Sequence, residues 1–384
     1  MMRHIRFVLR LFAILSVATL SATAFAQIES NSSPVAFVYV SSSPSNNDYE
    51  INAFAAAPDG KLTAVSGSPF PANVQSMAVN QQFLFGTNGV DVYSFSIAAD
   101  GSLAKVARIN AQKFNGSHCG GPTALFLDLS GSTLYDEDVY GNICANNTYQ
   151  SFSIDQSSGE LSYLGASDPS ALFNVPLSFI GKNVYAYGSS SHQYGSWLFG
   201  FRRGSDGKVT DLKINPPMPV SKKADFYVSY GAAADSGNHV AISVTPYNQN
   251  TWLPDGPPQF ATYTADPSGR LTTKSTYSNM PTTAVQNVAD FKMSPSGKLL
   301  AVGGTAGLQV FHFNGANPVT HYTGLIVKDE IDQIFWDNDN HLYAISHTTG
   351  RLFVFTITPT GVSQAPGSPY TVTNPQNVTV LPKN

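Results

Sequence analysis

The chain has 384 residues, 21 Lys+Arg against 25 Asp+Glu, 42% apolar residues and two cysteines. Only 12% of its residues are charged and it carries 24 Phe and 18 Tyr, which excludes an intrinsically disordered chain. With no basic excess a nucleic-acid partner is not expected, and two cysteines are too few for a disulfide scaffold.

Residues 1–26 read as an export signal. Arg3, His4, Arg6 and Arg10 give a positive start, Leu11 to Leu20 is apolar, and Ala24-Phe25-Ala26 offers a small-x-small cleavage site. The apolar run is short for a membrane span, which needs about 20 residues. Cleavage after Ala26 predicts a periplasmic or secreted protein with no membrane span; an uncleaved anchor is the alternative. The mature chain would hold 18 Lys+Arg against 25 Asp+Glu, a mild acidity that suits solubility. Residues 27–34 form a short linker, and 35–384 one domain.

From residue 35 onward one unit recurs: strand, polar turn, strand, variable loop, strand, Gly turn, short strand. Segment 35–66 holds only the last three strands of such a unit. Six complete units follow, near 74–110, 122–166, 175–215, 228–277, 288–326 and 331–370, and the tail Gln376 to Leu381 supplies one more first strand. The Gly turn is the clearest marker, as in Asp59-Gly60, Asp100-Gly101, Ser158-Gly159, Asp206-Gly207 and Ser268-Gly269. Such pairs supply the positive φ of a tight hairpin. Alternating strands such as Val92-Tyr93-Ser94-Phe95-Ser96-Ile97 precede the markers. Gly67-Ser68-Pro69-Phe70 and Gly367-Ser368-Pro369-Tyr370 mark one corner 300 residues apart. Units of 40–50 residues with four strands each predict an all-β, seven-bladed β-propeller. The N- and C-terminal strands share the last blade, which removes an open sheet edge. A pair of β-sandwiches would leave the regular spacing unexplained.

Phe37-Val38-Tyr39-Val40-Ser41 with Ser45-Asn46-Asn47, then Ala57-Pro58-Asp59-Gly60-Lys61-Leu62 and Val65-Ser66-Gly67-Ser68-Pro69-Phe70, resembles the lactonase-type seven-bladed propellers. These are the relatives of 6-phosphogluconolactonase and the muconate cycloisomerase-like enzymes. Met293-Ser294-Pro295-Ser296-Gly297-Lys298-Leu299-Leu300-Ala301-Val302 resembles their recurring strand-turn-strand. The resemblance runs over most of 35–382 and implies the propeller and lactone chemistry, with His, Glu and Arg at the channel. None of the five mature arginines falls at the expected channel mouth, which counts against a phosphorylated lactone.

Connections between blades, and loops between second and third strands, form that mouth; the Gly turns lie opposite. Lactone hydrolysis needs a base for water and donors for the oxyanion. His118 with Asp290 or Asp332 as base, and Lys222 or Lys223 as donor, is the expected catalytic set. Trp252, on the Pro-rich loop from Pro246 to Pro258, with Glu330 and Asn174, is expected to contact ligand. No protein cofactor is expected; Asp290, Asp332, Glu330, Asn174 and Asn287 are the oxygen donors that a Ca²⁺ ion would use. The histidines show no zinc-ligand spacing. Asp136-Glu137-Asp138 reads as a solvated loop. Outside the cytosol Cys119 and Cys144 are expected to pair, a bridge worth about 3–4 kcal/mol; two buried thiols are the alternative. The readings that follow are a monomeric lactone hydrolase, or a non-catalytic propeller that uses Trp252 and the mouth to hold a protein or glycan.

Overall fold

The structure is a computed structural model that describes residues 33–45, 48–114, 124–138, 148–167, 175–192, 195–219 and 226–383. It contains seven antiparallel sheets built on four strands each, consecutive in the chain in all but the sheet that joins the two termini. The first, innermost strands are Ser76–Val79 (blade 1), Ala124–Leu127 (blade 2), Ser178–Ile180 (blade 3), Phe226–Ala234 (blade 4), Val288–Met293 (blade 5), Gln333–Trp336 (blade 6) and Pro375–Pro382 (blade 7). Among the described residues the only helical element is the 3-10 turn Ala111–Phe114. No helix of the described residues is long and apolar enough to cross a membrane.

Blade 7 closes the ring as the sequence predicts. The C-terminal strand Pro375–Pro382 pairs antiparallel with the N-terminal strand Ala36–Ser45, with Phe37 opposite Leu381 and Tyr39 opposite Thr379. Asp48–Ala56 and Leu62–Ala64 complete the sheet outward. The two Gly-Ser-Pro-aromatic corners are equivalent in space. Each adds a short fifth strand, Phe70–Pro71 to blade 7 and Tyr370–Thr371 to blade 6. Each corner serine accepts a third-strand backbone N–H, Ser68 from Ala53 and Ser368 from Val354, both at 2.9 Å.

The core is divided among the junctions between blades. Seven apolar clusters lie between neighbouring sheets, one per junction. The period-two alternation of a strand explains why. In the second strand of blade 7, Val38 and Val40 pack toward blade 6 while Phe37 and Tyr39 pack toward blade 1. Second strands are therefore covered on both faces: Leu299–Gly304 and His341–Ser346 are buried along their whole length. The outermost strands are solvated, as Gly361–Gln364 is throughout.

A repeated interlock fixes the angle between blades. In six of the seven blades a side chain at or beside the start of the second strand presses on the Gly turn of the next blade. Phe37 meets Gly101, Phe83 meets Gly159, Thr133 meets Gly207, Tyr185 meets Gly269, His239 meets Gly315 and His341 meets Gly60. At Gly101 (φ +87°) a Cβ would sit 2.5 Å from the Phe37 ring. Two residues further on, a buried tyrosine often donates its hydroxyl to the same turn's carbonyl. Tyr39 donates to Gly101 at 3.0 Å, Tyr135 to Gly207 at 2.6 Å and Tyr187 to Gly269 at 2.8 Å. Burial raises the pKa of all three phenols, so they remain donors. At the junction of blades 5 and 6 the contact is missing: a Cβ on Gly361 would meet only Thr358 of its own turn.

At the closing junction the interlock is ionic. Asp337 pairs through Oδ2 with His341 Nδ1 at 2.7 Å and accepts the Tyr343 hydroxyl at 2.8 Å. All three residues are fully buried. Burial presses the His341 pKa down, but the hydrogen bond and charge of Asp337, with the charge of Asp339, outweigh it and leave the pKa raised.

Two measurements follow. Gly101→Ala is expected to cost about 2–4 kcal/mol in chemical denaturation, from overpacking on Phe37 and a strained backbone, whereas Gly361→Ala costs less than about 1 kcal/mol. Because the folded-state pKa of His341 is raised, its stabilisation is complete below the free imidazole's value of about 6.5 and is lost as pH rises through the folded value. Stability should therefore fall between pH 6 and pH 9 by an amount that His341→Gln abolishes; identical slopes in the two proteins would contradict the assignment.

Candidate functional site: the central channel

The first strands line a cavity of about 300 Å³ on the ring axis. Its polar lining is organised by one position repeated around the ring. Asp290 Oδ2 accepts the backbone N–H of Ile334 at 3.0 Å, Gln333 Oε1 that of Val378 at 3.0 Å, Asn377 Oδ1 that of Met77 at 3.1 Å, and Ser76 Oγ that of Leu125 at 3.0 Å. Each acceptor stands on one blade and reaches the first strand of the next. An arc of four junctions, from blade 5 through blades 6, 7 and 1 to blade 2, is thus stitched across the channel wall. Blade 2 carries Ala124 at the matching position and cannot continue the stitch. Between blades 3 and 4 a different bond takes over, Ser178 Oγ to the Ala232 carbonyl at 2.6 Å.

Asp290 differs from the other members of the arc in being ionisable. A β-bulge between Val288 and Asp290 sets its direction. Its second oxygen, Oδ1, lies 3.0 Å from Lys292 Nζ, two residues along the same strand and hence on the same face. A carboxylate offers about four lone-pair sites, so two donors leave it accepting capacity toward the cavity. Both donors are N–H groups. Among the described residues no group of three or more His, Cys, Asp or Glu side chains is placed to hold a metal ion.

Tyr230 is the neighbour that the sequence did not disclose. A bulge between Tyr230 and Ala233 interrupts the first strand of blade 4, and Gly231 there has φ +64°. The Tyr230 pKa is pushed up to about 12, first by burial among the blade walls and then by the charges of Asp290 and Glu137. Nearly half of its surface nonetheless remains open, at 46%. Asp290 belongs to the adjacent blade and Glu137 to blade 2, so the phenol feels the charge of carboxylates from two other blades. It stays protonated at neutral pH and can only donate to an anionic centre. Glu137 corrects the reading of the acidic run as a solvated loop. Thr133–Asp138 is a strand, and Asp136 and Glu137 are 1% and 3% exposed. The preceding Thr133-Leu134-Tyr135 already alternates as a strand, which was the available signal.

The other candidates lie apart from this group or outside the described residues. Asp332 accepts the backbone N–H of His347 at 2.6 Å, and Glu330 accepts the Thr348 hydroxyl at 2.8 Å. Asp329 binds Arg351 at 3.0 Å. These three acids staple the entry to blade 6 onto its own loop between second and third strands. Among the described residues no hydrogen bond or ion pair joins Asp290 to Asp332 or Glu330. Trp252, with φ +58°, is 45% exposed on the second-to-third-strand loop of blade 4, its ring 5.4 Å from that of Phe226. His118, Cys119, Cys144, Asn174, Lys222 and Lys223 lie outside the described residues, as does the side chain of His192. None of the arginines Arg108, Arg202, Arg203, Arg270 and Arg351 lines the cavity.

No family model matches the chain, and no curated protein matches it. Solved structures do. A protein from Bacteroides uniformis, provisionally named a 6-phosphogluconolactonase, superposes with a TM-score of 0.61 at 13% identity over 91% of this chain and 100% of that one. One of the same provisional name from Bacteroides fragilis gives 0.58 at 13% identity, over 91% and 99%. Hydrazine synthase of Kuenenia stuttgartiensis gives 0.54 at 13% identity, over 85% and 96%. The chain is thus a seven-bladed β-propeller with the fold of the 6-phosphogluconolactonase-like structures. At such identities the likeness is one of fold, and fold alone does not carry chemistry.

The arc yields a stability prediction. Asn377→Leu leaves the Met77 N–H without its acceptor and is expected to cost about 1–3 kcal/mol. Asn377→Asp keeps an acceptor in place and should retain most of that stability at neutral pH in the same denaturation assay.

Proposed function

We propose that the protein is an exported lactone hydrolase acting on a small uncharged lactone in the central channel. The observation that carries this reading is the pairing of Asp290 with Lys292 on the wall of one cavity, a base beside a donor, with the Tyr230 phenol of the adjacent blade within range of the Asp290 charge. The export signal read in residues 1–26 supports a place outside the cytosol, and the 6-phosphogluconolactonase-like structures supply the reaction class. The cavity's lack of arginine favours a lactone without phosphate.

In this mechanism Asp290 takes a proton from water as the water oxygen bonds to the lactone carbonyl carbon. The Tyr230 hydroxyl and the Lys292 ammonium hold the oxyanion that forms. The ring C–O bond then breaks, and the departing alkoxide takes the proton back from Asp290. Lactone and water become one hydroxy acid, and no other reactant is consumed. Gln333 and Asn377 keep the wall rigid through their bonds to neighbouring blades, which preorganises the donors.

Asp290→Asn tests the role cleanly. Asparagine fills the equivalent position at Asn377 and there accepts the neighbouring N–H, so the stitch survives while the base is lost. Turnover of neutral lactones by purified protein is expected to fall by about 10²–10⁴ in Asp290→Asn and by about 10²–10³ in Tyr230→Phe. Wild-type inactivity on neutral and phosphorylated lactones alike would reject the enzyme. It would leave a propeller that binds ligand without turnover, with Trp252 as the exposed aromatic contact.

A further inference from the structure

On the Gly-turn side the channel ends in a second cavity, of about 330 Å³. Its character is different. Leu129, Phe179, Met293, Pro295, Phe335 and Trp336, from blades 2, 3, 5 and 6, make an apolar wall. Leu129 is 56% exposed at the tip of its turn. Asp235 and Ser294 on the rim are already engaged. Asp235 accepts the backbone N–H groups of Gly237 and His239 at 2.9 Å each and pairs with His239 Nδ1 at 2.7 Å. Ser294 accepts the Leu299 N–H at 3.1 Å. A ligand here would meet hydrocarbon.

The two cavities share Lys292 and Phe335 in their walls. Lys292 marks the seam. Its ammonium is held by Asp290 in the first cavity, so its methylene stem lies along the boundary, as long cationic side chains do where apolar surface meets a polar region. From Asp290 to Met293 is three strand steps, about 10 Å. The axis therefore runs from a carboxylate and an ammonium to an apolar pocket within the length of a short alkyl chain.

We propose that the channel's ligand is amphipathic: a lactone head at Asp290, Lys292 and Tyr230, with an alkyl chain directed toward the Gly-turn side among Leu129, Phe179, Met293 and Trp336. The head rests on the function proposed above, and the chain is the new element. Burial of each methylene in this pocket strengthens binding, so a lactone with a chain binds more tightly than the bare ring.

The test uses the full chain and the series γ-butyrolactone, γ-hexalactone and γ-octalactone, with equilibrium binding and turnover measured separately. Affinity should rise about three- to fourfold per added methylene. Leu129→Asp and Met293→Gln should each cut the octalactone-to-butyrolactone affinity ratio at least about tenfold, with unchanged thermal midpoints showing that both variants fold. 1-Octanol, which carries a chain but no lactone, should bind more weakly than γ-octalactone. A flat series overturns the chain site, and Asp290-dependent turnover of γ-butyrolactone would still leave the hydrolase standing. A rising series without turnover keeps the amphipathic site and removes the catalysis. Equal binding of 1-octanol and γ-octalactone overturns the two-part ligand.

Discussion

The molecule depends on the pairing of its two ends. An array of blades placed edge to face buries each sheet only if a further sheet follows it, and a ring alone satisfies that demand without leaving a last one bare. Here the requirement is met by backbone hydrogen bonds between Ala36–Ser45 and Pro375–Pro382. Those bonds hold together strands more than 300 residues apart. They also bring Val38 and Val40 onto blade 6 and Phe37 and Tyr39 onto blade 1. Loss of that pairing would open two apolar junctions at once. Cis Ser-Pro bonds occur at both Gly-Ser-Pro corners, one on blade 6 and one on blade 7. The two sheets that meet at the closure thus share one corner geometry.

Closure also explains the channel. Seven first strands converge on an axis, and their backbone N–H groups face neighbours at an angle that no ordinary ladder can satisfy. Side chains answer this at Asp290, Gln333, Asn377 and Ser76. A buried N–H without an acceptor is costly, so polarity on the axis has a structural cause before it has a chemical one. Chemistry is added where the acceptor is charged and has company. Only Asp290, among these four, sits beside an ammonium and near a phenol whose proton is firmly held. One carboxylate thereby serves the wall and the cavity together.

The repeat was legible because the strand period, the Asp/Ser-Gly turns and the unit length all repeat within a few residues of themselves. The half units at the two ends followed from the same count. Asp290 stood out in sequence as an acid on an apolar inner strand, and it lies in the channel. Asp332 and Glu330 looked similar and instead bind the loop of their own blade. Nothing local separates the two cases, because each acid follows or opens an inner strand and differs only in which backbone N–H it meets. Tyr230 escaped notice since a bulge, not an alternation, aims it. The run Asp136-Glu137-Asp138 suggests solvent, whereas in a strand successive side chains point to opposite faces, and at Asp136 and Glu137 both faces are covered.

Sequence by itself determined the seven units, their four-strand composition, the division of loops between two sides and the shared last blade. The first three rest on interactions within about fifty residues, where turn chemistry and strand period act directly, and the shared last blade follows from the incomplete units at the two ends. Tertiary structure alone decided which acids line the axis, that Tyr230 feels the charges of Asp290 and Glu137, and that a cavity with a polar lining and an apolar one share Lys292 in their walls. Those facts depend on the rotation of one blade against the next, which is set by contacts such as Phe37 on Gly101 between residues far apart in the chain. No local pattern encodes that rotation.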